Sequence, residues 1–96
     1  MKHKVKFKKW NCIVRKSNYF DNGRIALSLV DKDGDEVATA TVNLPDEQIG
    51  EDEVFIKDYS ENEGILKALQ EAKIVGPVIE SVSTGFVSVQ KCKLLI

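Results

Sequence analysis

An α+β fold is predicted by three features of this chain. Strand-like alternation covers most of its length, one apolar stripe has helical spacing, and turn dipeptides fall between the apolar runs. The order β-β-β-β-α-β-β predicts a curled, mainly antiparallel sheet of five to six strands with one helix packed on one face. The 96 residues suit a single small domain, 1–96. At 43% hydrophobic and 30% charged residues, the chain has the composition of a folded domain and is too apolar for disorder.

The first strand is expected over residues 4–15, KVKFKKWNCIVR. Val5 and Phe7 share one parity, while Trp10, Cys12 and Val14 share the other, so the phase flips at Lys8-Lys9. A β-bulge there would restore one apolar face. Residues 17–23 form a loop, with turn chemistry at Asn22-Gly23. RIALSLVDKDGDEVATATVNL then reads as a hairpin. Asp33-Gly34 suits a two-residue type I′ turn. That turn pairs Val30 with Val37, Leu29 with Ala38, Leu27 with Ala40 and Ile25 with Val42. One face then carries the large aliphatics, which a one-residue slip would scramble.

Pro45 ends that strand, because it has no ladder donor. Residues 46–53 form an acidic loop and 53–58 a short strand. A helix is expected from about Glu61 to Lys73, with Ile65, Leu66, Leu69 and Ala72 on one stripe. Ser60 and Glu63 match the S-x-x-E capping box, in which each side chain accepts from the other residue's amide. Gly64 inside the first turn suggests close packing. Gly76-Pro77 forbids much continuation of the helix. Residues 77–83 and 86–95 form a second hairpin through Thr84-Gly85.

The net charge of −1 hides an asymmetry. Met1 to Arg24 holds eight Lys/Arg against one acid, and Asp31 to Glu63 holds twelve acids against two lysines. Folded, these blocks either form opposite poles or neutralise each other across neighbouring strands. No apolar run approaches the roughly 18–20 residues of a membrane helix. The first ten residues lack the apolar stretch of a signal peptide. The expected setting is cytoplasmic, without membrane contact, and Cys12 and Cys92 are expected as reduced, buried small hydrophobes.

Catalytic material is sparse. His3 is the only histidine, neither cysteine sits in a nucleophile motif, and no glycine-rich phosphate loop is present. A Cys/His zinc site has too few ligands. DKDGDE (Asp31–Glu36) alternates aspartates, but its glycine and the residue at the twelfth position do not fit a calcium loop. The expectation is therefore no catalytic residue, no metal and no cofactor.

Two surfaces remain as candidates. Asp58, Tyr59, Glu61 and Asn62, at the predicted helix start, combine an aromatic with polar groups and form the leading candidate for a protein-partner contact, with the 46–53 loop nearby if the fold allows. Lys4, Lys6, Lys8 and Lys9, interleaved with Phe7 and Trp10, form the nucleic-acid alternative, whose affinity would fall with salt. A third alternative is a small ligand-binding protein or enzyme using the acids near Asp58.

The runs LSLVDKDGDEVATATVNLP (Leu27–Pro45), EVFIKDYSENEGILKAL (Glu53–Leu69) and TGFVSV (Thr84–Val89) resemble a family of small bacterial proteins, a domain of unknown function. Its members occur in Bacteroides-type gut bacteria, often in mobile-element or phage-like neighbourhoods. The likeness spans residues 25–90, with Ala40–Pro45 and Phe55–Gly64 its most specific parts. Family members tend to carry E-A-G-I-V after the helix; Lys73 replaces that glycine here. The resemblance implies a bacterial accessory protein and brings no activity, cofactor or site residue.

Overall fold

The computed structural model describes residues 3–96. Its strands are β1 (Lys4–Phe7), β2 (Trp10–Asn18), β3 (Ile25–Val30), β4 (Glu36–Thr39), β5 (Glu53–Ile56), β6 (Val75–Ser83) and β7 (Ser88–Leu94), with one helix, α1 (Ile65–Glu71). The class is α+β, but the seven strands form two antiparallel sheets rather than one sheet of five to six strands. Their orders are β1-β2-β3-β4 and β5-β7-β6. The chain leaves the first ladder after Thr39. The sheets are joined by hydrogen bonds at the Thr41–Ile56 bridge, with Val42 N–H donating to Phe55 O at 3.1 Å and Lys57 N–H to Ala40 O at 2.8 Å. Pro45 lies a few residues beyond and limits the join.

The N-terminal segment corrects the single-strand expectation. The phase flip at Lys8-Lys9 is a two-residue hairpin, not a bulge: Phe7 pairs with Trp10 and Val5 with Cys12. Lys8 sits at φ +54 and Lys9 does not share that sign, the φ pattern of a type II′ turn. Val5, Phe7 and Cys12 are buried together, while Trp10, expected on the core parity, is 41% exposed at the turn.

The next hairpin keeps its predicted centre and loses its predicted turn. Leu29 pairs with Ala38, and Ala40 N–H donates to Leu27 O at 2.8 Å, as the separation of large aliphatics requires. Val30, however, faces Glu36 across a bulge. The loop is Lys32-Asp33-Gly34: Asp31 O accepts from Gly34 N–H, and Asp31 N–H donates to Asp35 O. Gly34 at φ +84 completes a type I turn with a left-handed closing residue. Asp31 Oδ1 takes the amides of Asp33 and Asp35 at 2.9 and 3.0 Å, which favours the three-residue loop.

Leu27, Leu29, Ala40, Val54, Ile56, Ile65, Leu69, Ile74 and Cys92 build the core between the sheets and α1. The helix packs on β1 and β6, an outer strand of each sheet. Phe55 and Val89 are buried outside this cluster, on the other face of the second sheet. They share that face with Lys91, whose Nζ pairs with Glu80 at 3.0 Å.

The helix ends earlier than Lys73. Lys73 N–H donates to Gln70 O and Ile74 N–H to Leu69 O, the two bonds of a Schellman motif, with buried Ile74 and Leu69 as its apolar contact. Lys73 takes the left-handed position at φ +60, where glycine would cost less. Gly76-Pro77 lies inside β6, at a register break between Val75 and Val78, where a missing donor is tolerated. Among the described residues no helix is long and apolar enough to cross a membrane.

Candidate interaction surface

The Asp58–Gly64 stretch is a helix start, but not of the predicted kind. Residues Ser60–Asn62 form one 3-10 turn, and α1 begins after Gly64. Ser60 lies at φ +54, away from the extended conformation of a capping residue, and no side-chain cap forms there. The Ser60–Glu63 capping box is therefore absent. Asp58 takes the role instead: its Oδ1 accepts the amides of Gly64 and Leu66, both at 3.0 Å. Gly64 is needed for its φ of +94, because a side chain there would meet nothing within 4 Å. Asp58→Ala should cost about 1–2 kcal/mol in urea unfolding, with Asp58→Asn close to wild type. Equal stability of all three proteins would contradict this role.

This arrangement breaks up the leading candidate surface. Asn62 is 2% exposed, and its Nδ2 donates to Thr39 O at 2.7 Å, tying the turn to the end of β4. Asp58 is turned to the helix. Like Asp58, Tyr59 is half-buried, and Glu61 is exposed. Their surroundings are not acidic. Lys57 Nζ bonds Glu61 Oε1 at 2.9 Å and sits 5.5 Å from the Tyr59 ring centre, while Lys8 Nζ donates to Glu61 O at 2.8 Å. The hydrogen bond from Lys57 holds the Glu61 carboxyl below the usual range and pushes the Lys57 ammonium up. The 46–53 loop enters the far end of β5 from Asp58, so it does not join this surface.

The lysines of the nucleic-acid alternative also divide. Lys4 and Lys6 pair with Ile13 and Asn11 on the outward face of the first hairpin. With Lys32 they rim a half-open cleft of about 420 Å³. Lys8 is turned to Glu61, and Lys9 Nζ lies 5.4 Å from the Trp10 ring. Arg15 pairs with Glu36 at 3.5 Å, so with Lys8 at Glu61 the basic and acidic blocks meet at more than one place rather than forming separate poles. Arg24 donates to the carbonyls of Leu44, Pro45 and Glu47, pinning the acidic loop through its backbone.

A different surface stands out on the second sheet. β6 is an outer strand whose side chains from Pro77 to Ser81 are all exposed. Val78 is 42% exposed, Ile79 52% and the neighbouring Leu95 52%. The tip of the β6–β7 hairpin is Thr84-Gly85-Phe86-Val87, closed by Thr84 N–H to Val87 O at 2.8 Å with Gly85 at φ +99. The central residues are thus Gly85-Phe86 rather than Thr84-Gly85. Phe86, expected as the first residue of a strand, is a turn residue with its ring entirely in solvent. Sequence reasoning missed this surface because apolar alternation marks a strand without saying whether anything covers it. The available signal was an aromatic directly after the turn glycine.

Cys12 and Cys92 are free and buried. Burial pushes the Cys92 thiol up to about 11 and, with Asp31 adding to it, raises that of Cys12. Asp31, Asp33 and Asp35 bring carboxylate oxygens within 4.8 Å of one another, with Asp31 already engaged by the loop amides. Searches with family models, against curated proteins and against solved structures found no match to this chain.

Proposed function

We propose that this chain is a non-enzymatic protein-interaction module of a bacterial accessory or mobile-element system, docking through the β6–β7 hairpin. The observation that carries this reading is the fully exposed Phe86 on the same hairpin as Val78 and Ile79. An aromatic at the tip of a rigid two-stranded element loses little conformational entropy when a partner covers it, which suits it as an anchor. Cysteine thiols that stay protonated at neutral pH, and an Asp58 carboxylate committed to backbone amides, support a role without chemistry. The bacterial and mobile-element setting rests on the sequence resemblance.

The test is affinity capture from the native host with wild-type and Phe86→Asp baits, and Tyr59→Ala as a control. The expected result is a partner held by wild type and Tyr59→Ala and lost with Phe86→Asp. Identical captures by all three baits would remove the hairpin from the reading.

A further inference from the structure

Resting on the reading of the β6–β7 hairpin as a docking element, we infer that its partner is a second copy of this chain, paired edge to edge through antiparallel β6 strands. The exposed apolar groups around this hairpin fall in two sets. Pro77, Val78 and Ile79 run along β6 up to its middle residue with Leu95 beside them, and Phe86 lies in the turn past its end. Between them, Glu80 to Ser83 pair with β7 without a register break, leaving a regular outer edge. The bulges and Pro77 interrupt only the first half of the strand.

A two-fold axis through Val82 sets Val82 opposite its own copy, a β-branched cross-strand pair. The same axis sets Phe86 of each copy against the Val78–Ile79 segment of the other, so each set covers what the other leaves bare. Such self-complementarity is what an isologous interface demands. Charge raises no obstacle. Glu80, the one charged residue of β6, is paired with Lys91 in its own chain and falls opposite Thr84 of the second copy.

The experiment is sedimentation equilibrium of the purified chain from about 1 to about 500 μM, with Phe86→Glu, Val78→Lys and an equimolar mixture of the two. Wild type is expected to reach twice its 10.7 kDa mass. Each variant, folded by circular dichroism, should associate at least about 10-fold more weakly. The mixture should regain the dimer, because one contact then sets the introduced glutamate against the introduced lysine and the other stays native. A wild type that remains monomeric throughout overturns the homodimer, and so does a mixture that stays monomeric. The capture experiment with Phe86→Asp is read separately, so loss of a foreign partner there would keep the docking hairpin while this pairing fails.

Discussion

Leu69→Ala is expected to lower the unfolding free energy by about 2–5 kcal/mol. Leu69 is fully buried at the centre of α1, which has only seven residues. A helix that short has no independent stability in water, so α1 persists because its apolar stripe is covered. Leu69 carries two duties at once. It fills the core between the sheets, and it forms the apolar contact with Ile74 that closes the Schellman motif. Truncation leaves a cavity and loosens the turn into β6. Because a domain of this size has total stability of roughly 5–10 kcal/mol, the loss would be a large fraction of it. Chemical denaturation monitored by the Trp10 fluorescence and by circular dichroism measures the effect. A cost below about 1 kcal/mol would mean that α1 contributes little to the core.

The fold class was legible because the aliphatic pattern at Leu27, Leu29, Ala38 and Ala40 tolerates one strand register, and the structure uses it. The stripe Ile65, Leu66, Leu69 likewise located the helix. What sequence reasoning misplaced were turns. A phase flip at Lys8-Lys9 fits a bulge and a hairpin equally, because both reverse the parity. The hairpin is favoured only once β1 can pack on α1, a contact between residues distant in sequence. Asp33-Gly34 fits a two-residue or a three-residue loop, and the choice falls to Asp31, whose carboxylate binds two loop amides. The split into two sheets depends on where the long connection after Thr39 returns to β5, which no local pattern encodes.

The candidate surface was legible in composition and wrong in orientation. S-x-x-E described a cap that the backbone at Ser60 cannot make, while the residue before Tyr59 makes it from outside the pattern. The acidic look of Asp58–Glu63 also dissolved, since Lys57 and Lys8 both reach Glu61. Neighbours in space, invisible in the run of letters, decide whether a polar cluster is a surface or a joint.

Asn62→Asp is expected to destabilise the fold by about 3–5 kcal/mol near neutral pH, and the loss should shrink in acid. The substitution preserves shape and changes one atom's chemistry. Asn62 Nδ2 donates to Thr39 O at 2.7 Å in a site where the residue is 2% exposed. A carboxylate there sets an oxygen carrying negative charge against a carbonyl oxygen and strips it of water. Burial raises the folded-state pKa of the new carboxyl above its unfolded value of about 3.9. The sign follows from linkage. Below the unfolded pKa both states are protonated, and the neutral acid can donate to Thr39 O, so the variant keeps most of its stability. As pH rises from the unfolded pKa to the folded one, the unfolded chain releases its proton first, and stability falls relative to wild type. Above the folded pKa the deficit is constant. The neutral control, Asn62→Ala, should cost about 1–3 kcal/mol with no such pH dependence, because it only leaves the Thr39 carbonyl without a donor. Urea unfolding of the three proteins between about pH 3.5 and 8 measures the difference. A pH-independent deficit in Asn62→Asp would mean that water reaches this residue, and the joint between the 3-10 turn and β4 would then be open rather than buried.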